Sequence, residues 1–187
     1  MDKIELETVL REAQMGSSVA FGQAYGEFSS RVLGLCRKML GSRAAAEDAT
    51  SEVFERAYDA LDQYDRERPF DRWILTIASR HCLNRLRRER LEKRLFHDEP
   101  VETPAIAAAS SPLVAFEDQE QRRVLLRAID ALPENYRVPL ILKYYGDLSY
   151  DEIADHLGTT RSNVAVLLHR AKRELRSRIG ALRKEES

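Results

Sequence analysis

The sequence has 187 residues, of which 43% are hydrophobic and 33% are charged, and its formal net charge is −1. That length allows one large domain or two small ones. Because no window approaches 18 uninterrupted apolar residues and the N-terminus, MDKIELETVLRE, is acidic and amphipathic, we expect no insertion into a membrane, no signal or transit peptide, and a cytoplasmic protein.

The near-zero net charge conceals four blocks of alternating sign. Residues 1–65 carry seven bases and twelve acids, whereas residues 66–95 carry ten bases and four acids. The pattern repeats in residues 96–157, with five bases and twelve acids, and in residues 158–184, with eight bases and one acid. The two basic blocks predict two surfaces for nucleic acid, and the acidic blocks predict surfaces for other partners.

Residues 2–95 are predicted to be helical, in four helices separated by Gly16-Ser17-Ser18, Gly41-Ser42 and a polar loop, Asp62–Pro69. The predicted helices are Asp2–Gln14, a second that reaches Leu40, Arg43–Leu61 and Phe70–Leu95. In the second, apolar residues recur at three- and four-residue steps, at Phe21, Tyr25, Phe28, Val32, Leu35 and Met39.

Acidic residues of the third predicted helix share one side, because Asp48, Glu52, Glu55 and Asp59 follow one another by four, three and four residues. Like charges at this spacing destabilise a helix by about a few tenths of a kcal/mol per pair. Two interpretations remain open. The side is either an ordinary solvated face or a docking face for a basic partner.

The fourth predicted helix carries the first basic block. One narrow stripe combines an aromatic ring, a hydroxyl, an amide and two arginines, in the order Trp73, Thr76, Arg80, Asn84 and Arg87. This mixture suits a nucleic-acid surface, because it offers stacking, base-edge bonding and phosphate contact. The alternative is that Trp73 covers the edge of a core.

The segment His97–Phe116 contains three prolines and many small residues, which predicts a linker between two domains. Fully extended, it would span at most ~65–70 Å. After it we expect a helix from Glu117 to Leu132, stopped by Pro133. A short helix, Asn135–Tyr145, should follow with Pro139 in its first turn.

The stretch from Leu148 to Arg176 has the spacing of a helix-turn-helix. Ser149 and Glu152 form a capping-box pattern, Gly158 can end the first helix, and Thr160 can cap a second that runs to Ile179. Apolar residues are expected where the two helices touch, at Ile153, Ala154, Leu157, Val164 and Leu167. An ordinary αα-hairpin shares this pattern, but the basic excess that follows favours DNA.

Cys36 and Cys82 lack a CxxC spacing or an obvious set of histidine partners. They are interpreted as reduced core residues rather than as zinc ligands or a redox pair. We expect neither a metal site nor a cofactor.

Two segments carry a family resemblance. AAEDATSEVFERAYDAL (Ala45–Leu61) and RPFDRWILTIASRHCLNRLRR (Arg68–Arg88) resemble region 2 of bacterial RNA polymerase sigma factors. IDALPENYRVPLILKYYGDLSYDEIADHLG and the following HRAKRELR resemble region 4. Regions 1 and 3 of the larger sigma factors are absent, which is the layout of the extracytoplasmic-function (ECF) group. The resemblance implies an all-α fold with region 2 in residues 1–96, a linker in 97–116, and region 4 in 117–187.

The resemblance also implies partners and site residues. Asp48, Glu52, Phe54 and Glu55 are expected at the interface with core RNA polymerase, whose largest-subunit clamp helices and flap would be bound. Ser51 stands where glutamine is usual. Trp73, Asn84 and the loop before Phe70 would open the minus-ten element and hold a flipped base, alongside Thr76, Arg80, Arg87 and Arg88.

The second helix of the helix-turn-helix, the recognition helix, would read the minus-thirty-five element in the major groove. Its expected DNA-binding residues are Thr160, Arg161, Ser162, Asn163, Ala165, Val166, His169, Arg170 and Lys172. Ala165 and Val166 stand where many relatives have basic or hydroxyl residues, and small apolar groups can pack against a thymine methyl. Arg161 would contact either a guanine or a phosphate.

The leading hypothesis is therefore a promoter-specific transcription initiation factor, not an enzyme, with an anti-sigma factor as a further partner. One rival is a free-standing helix-turn-helix repressor that binds operators without polymerase. A second rival, a helical nuclease, lacks an acidic metal-binding set in the sequence.

Overall fold

The computed structural model describes residues 1–96 and 116–185. Every regular element in these two ranges is helical, which confirms the predicted all-α fold. The chain divides into two compact units, one built from the first four helices and the other from the last four. The predicted linker falls almost wholly between the described ranges. No described helix has the length and apolar character needed to cross a lipid bilayer.

The first unit contains four helices and a short 3₁₀ turn, Leu61–Gln63: α1 (Lys3–Gln14), α2 (Ser18–Leu40), α3 (Arg43–Asp59) and α4 (Phe70–Phe96). Side-chain caps fix where the first three helices begin, with Asp2, Ser17 and Ser42 each accepting a backbone N–H of the following turn. Helix α2 packs against α1, α3 and α4. Its position makes it the centre of this unit.

The buried residues of α2 follow the apolar periodicity of the sequence only in part. Val32, Leu35 and Met39 are fully buried as expected, but Ala20 and Ala24 are buried in place of Phe21 and Tyr25. Small side chains at these two positions allow neighbouring helices to approach closely, so the larger rings are displaced to the flank. Tyr25 is 42% exposed, although it follows the same three- and four-residue periodicity as the buried Val32 and Leu35.

The connection from α3 to α4 also differs from the sequence prediction. Helix α3 ends at Asp59, two residues earlier than expected, because the chain tightens into the 3₁₀ turn. The connection is not uniformly polar either, since Leu61 and Tyr64 are both buried. These two side chains anchor an otherwise exposed loop, residues 65–68, to the body of the unit.

The second unit contains α5 (Phe116–Asp130), α6 (Glu134–Tyr144), α7 (Tyr150–Leu157) and α8 (Arg161–Glu185). Helix α8 packs against the other three. It extends six residues past the predicted end at Ile179, since no proline or helix-ending glycine intervenes. Pro139 is the sixth residue of α6, not in its first turn, so the carbonyl of Asn135 lacks its usual helical donor.

The helix-turn-helix core follows the prediction with one correction. Ile153 and Val164 are fully buried and Ala154 is 5% exposed, as expected for two helices that touch. The next core residue is Leu168, which is 1% exposed, whereas the predicted Leu167 and Leu157 are only half-buried. Leu168 lies four residues after Val164 and so stays on the same side of the helix as Ala171.

Candidate polymerase and nucleic-acid interfaces

The acidic residues of α3 form an exposed surface, called here the acidic face, that consists of Asp48, Glu52, Glu55 and Asp59. Arg56 lies 3.9 Å from Glu52, a separation that offsets little of the mutual repulsion. The four like charges therefore lie together on one exposed side of α3, where a basic partner surface could offset their repulsion.

Phe54 differs from the three acids grouped with it in the sequence prediction. Its side chain is only 3% exposed, and its ring centroid lies 4.4 Å from that of Tyr25. Phe54 is therefore first a core residue, whereas Asp48, Glu52 and Glu55 are available to a partner.

A shallow groove of about 610 Å³ lies beside the acidic face, and its walls include Phe21, Tyr25, Phe54 and Tyr58. We call it the aromatic groove. The rings of Phe21 and Tyr58 meet edge to face at 5.0 Å, and Glu55 and Asp59 complete the rim. This groove was not predicted from the sequence. A signal was present, because aromatic residues recur four positions apart in both helices, at 21 and 25 and at 54 and 58.

His81, on α4, lies next to Glu52 of the acidic face on α3. Its side chain is 4% exposed, and its Nε2 lies 3.6 Å from a carboxylate oxygen of Glu52, beyond hydrogen-bond distance. Burial lowers the pKa of His81 below its ordinary 6.5, and the nearby Glu52 carboxylate opposes that shift. The neutral imidazole is thus the favoured form in the folded domain.

On α4, the predicted DNA stripe divides into two classes of environment. Arg80, Asn84, Arg87 and Arg88 are exposed, whereas Trp73 and Thr76 are half-buried. The Trp73 ring packs against Tyr64 at 5.0 Å and against Phe70 at 5.3 Å, so it does cover a core edge. Because the side chain is only half-buried, part of the ring remains accessible, and the two interpretations are compatible.

The loop before α4 is held by contacts that were not predicted from the sequence. The Tyr64 hydroxyl donates to the carbonyl of Arg68 at 2.6 Å, closing the loop on itself. The amide nitrogen of Gln14, on α1, donates to the carbonyls of Leu61 and Tyr64, each at 2.9 Å. Nothing in the local sequence pattern predicts a contact that spans about fifty residues.

The turn of the helix-turn-helix follows the capping pattern of the sequence. The Ser149 hydroxyl accepts the N–H of Glu152 at 3.2 Å, and the Glu152 carboxylate accepts the N–H of Ser149 at 2.7 Å. Gly158 adopts a φ of +64°, the left-handed conformation that ends α7. The Thr160 hydroxyl then accepts the N–H of Asn163 and so caps α8. All of these expectations are confirmed.

The residues predicted to read DNA lie along the first three turns of α8. Arg161, Ser162, Asn163, Ala165, Val166, His169 and Arg170 are all exposed, as is Thr160 just before the helix. Lys172 is half-buried, with its Nζ 5.3 Å from the centre of the Tyr144 ring. The neighbouring Tyr144 phenol raises the pKa of Lys172.

Arg161 already has a partner in this structure. Its guanidinium donates to a carboxylate oxygen of Asp151 at 2.7 Å and lies 6.0 Å from the centre of the Tyr150 ring. Contact with a base or a phosphate would therefore compete with an ion pair inside the helix-turn-helix. Asn163 is similarly oriented, since its amide donates to the Thr159 hydroxyl at 2.8 Å.

Cys36 and Cys82 are free thiols, both fully buried. The neighbouring Cys36 thiol, together with burial, raises the pKa of Cys82. Among residues 1–96 and 116–185, no group of three or more histidine, cysteine or acidic side chains is arranged to hold a metal ion.

Comparison with known families accounts for both units. Residues 24–92 match the model of sigma-70 region 2, and residues 122–175 match that of sigma-70 region 4. Curated relatives that match over nearly the whole chain are named ECF RNA polymerase sigma factors. The chain belongs to the ECF group of sigma-70 factors. It is therefore a transcription initiation factor by family.

Two relatives illustrate the extent of the sigma-factor match. SigW of Bacillus subtilis (strain 168) is 28% identical over 176 residues, which cover 91% of this chain and 94% of that protein. SigK of Mycobacterium ulcerans (strain Agy99) is 26% identical over 181 residues, covering 95% of each chain.

Solved structures share the fold. The sigma factor RpoE of Bartonella quintana, solved with the anti-sigma factor NepR, gives a TM-score of 0.64 at 18% identity, over 86% of this chain and 96% of that one. CnrH, solved with the cytosolic domain of CnrY, gives 0.55 at 21% identity, over 98% and 99%. At these low identities, the similarity is evidence only that the fold is shared.

Proposed function

We propose that this sigma factor binds core RNA polymerase through the acidic face of α3 and directs it to promoters through two DNA contacts. The observation that carries the proposal is the separation of charge within the first unit. Acidic side chains are exposed on α3, while Arg80, Arg87 and Arg88 are exposed on α4. This small domain can thus bind a basic surface of the polymerase through α3 and the phosphate backbone of DNA through α4 at the same time.

The minus-ten contact is assigned to α4 and the loop before it. The exposed Asn84 amide can donate to and accept from a base edge, and the neighbouring arginines can neutralise phosphates. The half-buried Trp73 ring can offer its accessible part as a stacking surface for an unpaired base. Extruding a base costs about a few kcal/mol, which these contacts would offset.

The minus-thirty-five contact is assigned to α7 and α8, with α8 in the major groove. Ala165 and Val166 are exposed at the centre of the reading surface, where they would pack against thymine methyl groups. Arg170 and Lys172 would bind phosphate. The domains are accordingly assigned as residues 1–96 for the polymerase and minus-ten contacts, 97–116 as the linker, and 117–187 for the minus-thirty-five contact.

We assign two further properties on the same basis. RpoE of Bartonella quintana was solved with an anti-sigma factor, and we propose that a partner of this kind also restrains the present chain. A factor that works on core polymerase acts in the cytoplasm, and the chemistry of transcription belongs to the polymerase, not to this chain.

The test is a charge reversal on the acidic face. Asp48→Lys with Glu55→Lys leaves Glu52 and its neighbour His81 untouched, so that the fold is not perturbed through them. Binding to core polymerase should weaken by about two orders of magnitude, because opposing like charges cost several kcal/mol. The matched control is Glu47→Lys, an exposed acid of the same helix that pairs with Arg43. It should bind nearly as the parent protein does.

The rival hypothesis is a repressor that needs no polymerase. It predicts tight duplex binding by the chain alone and no effect of the double reversal on function. If the reversed protein binds core polymerase and supports promoter-specific transcription as well as the parent does, the assignment of the acidic face is refuted.

A further inference from the structure

Helix α1 contributes to a polar groove at the loop before α4. The groove has a volume of about 780 Å³, and α1 supplies Glu7, Arg11 and Gln14 to its walls. The other side is formed by the connection from α3, including Tyr64 and the exposed residues 65–67. The loop that is assigned to the unpaired minus-ten base thus lies against the N-terminal helix.

Two tethers determine the shape of this loop. At one end, both hydrogens of the Gln14 amide are donated, one to the Leu61 carbonyl and one to the Tyr64 carbonyl. At the other end, the Tyr64 hydroxyl donates to the Arg68 carbonyl. Between the tethers, the Asp65 carboxylate accepts the N–H of Glu67 at 3.0 Å. The Tyr64 ring is buried against Phe70 and Trp73, so the tethered backbone is fixed relative to the stacking surface.

We infer that Gln14 is a positioning residue for base recognition in the minus-ten element: it holds the loop, residues 65–68, in the shape that distinguishes one unpaired base from another. Gln14 acts through the backbone of the loop and is not itself assigned a contact with DNA. This inference depends on the proposed function, because it presumes that the loop and α4 receive the base.

The chemistry of the contact explains why a glutamine suits this position. Two neighbouring carbonyls need two donors from one direction, and a primary amide supplies both from a single nitrogen. Leucine has a similar size but leaves both carbonyls without these donors. Glutamate has the same shape, but its carboxylate can only accept hydrogen bonds and would face two carbonyl oxygens that also only accept. Pre-organised polar groups discriminate between ligands better than mobile ones, because no ordering is required at the moment of binding.

The experiment measures base preference, not binding alone. Holoenzyme is reconstituted from core polymerase and the full chain with Gln14→Leu, and is tested on fork-junction promoters that carry each of the four bases at each unpaired minus-ten position. The matched control is Gln23→Leu, the same chemical change at an exposed site on α2. Urea unfolding of each variant, followed by tryptophan fluorescence, verifies that the first unit is folded.

We expect the affinity ratio between the best base and the other three to fall by about fivefold or more in Gln14→Leu, the effect of one or two neutral hydrogen bonds. The control should retain the parent ratio, and both variants should bind core polymerase and the minus-thirty-five duplex as the parent does. Tyr64→Phe, which removes the other tether but retains the ring, should reduce the ratio as well.

An unchanged ratio in Gln14→Leu would overturn the inference, whether the four affinities stay at the parent values or all fall by the same factor. If the leucine variant fails to fold, Gln14→Glu supplies the same comparison with a side chain of unchanged size. Failure of the proposed function would look different, because the parent protein itself would then show no preference among the four bases.

Discussion

Truncation of Phe54 should act on the stability of the first unit more than on the polymerase interface. The side chain is 3% exposed and packs against the Tyr25 ring. Removing a buried phenylalanine costs about 3–5 kcal/mol, out of a total of about 5–15 kcal/mol for a typical domain. Glu55→Ala, one position along and exposed, should change the free energy of unfolding by no more than about 0.5 kcal/mol.

Urea unfolding separates these two effects. The protein has a single tryptophan, Trp73, and it lies in the same unit as Phe54, so its fluorescence reports this unit alone. We expect a markedly lower midpoint for Phe54→Ala and a nearly unchanged midpoint for Glu55→Ala. In polymerase binding, the loss in Phe54→Ala should follow its folded fraction, whereas the loss in Glu55→Ala should occur with the domain fully folded. A Phe54→Ala protein as stable as the parent would refute this reasoning.

Three further predictions follow from particular residues. His81 is the single histidine in residues 1–96, and its lowered pKa means that the unfolded chain takes up a proton first as the pH falls. Stability of the first unit should therefore decline below about pH 6.5 and level off below the folded pKa, and His81→Gln should flatten this decline in urea midpoints. Gly158→Ala should destabilise the helix-turn-helix by about 1 kcal/mol, because Gly158 has a left-handed φ that alanine adopts poorly. Gly180→Ala, within α8 and with open space around it, should instead stabilise that helix by about 0.5–1 kcal/mol. Hydrogen exchange of α7 and α8 measures both changes, and equal effects of the two substitutions would contradict the role of the left-handed turn. Arg161→Ala should reduce promoter discrimination by about 1–3 kcal/mol if Arg161 reads a guanine, whereas an equal loss of affinity for all promoter sequences would mark a phosphate contact. Asp151→Ala should strengthen DNA binding, because it releases the Arg161 guanidinium from its ion pair.

Features encoded within a few residues were predictable from the sequence. The capping box of Ser149 and Glu152, the turn at Gly158 and the cap at Thr160 depend on backbone groups three or four positions away, so their spacing is sufficient evidence. The exposure of Asp48, Glu52 and Glu55 followed from helical periodicity in the same way.

Features that depend on packing between distant segments were not predictable in this way. Phe21 and Tyr25 have the periodicity of core residues, yet alanines on the adjacent side of α2 are buried instead. The choice of Leu168 over Leu167 depends on how α8 meets its neighbours. Phe54 was assigned to an interface by its place in a motif, and only its packing against Tyr25 reveals that it also supports the fold.

The hydrogen bonds of Gln14 bear on how sigma factors diversify. The match to region 2 begins at residue 24, so α1 precedes the segment by which the family is identified. If a single amide outside that segment governs how the loop is presented, substitutions in the first helix could retune promoter choice while the DNA-contacting surface stayed the same. Exchanging only this helix between two paralogues would then transfer part of their selectivity.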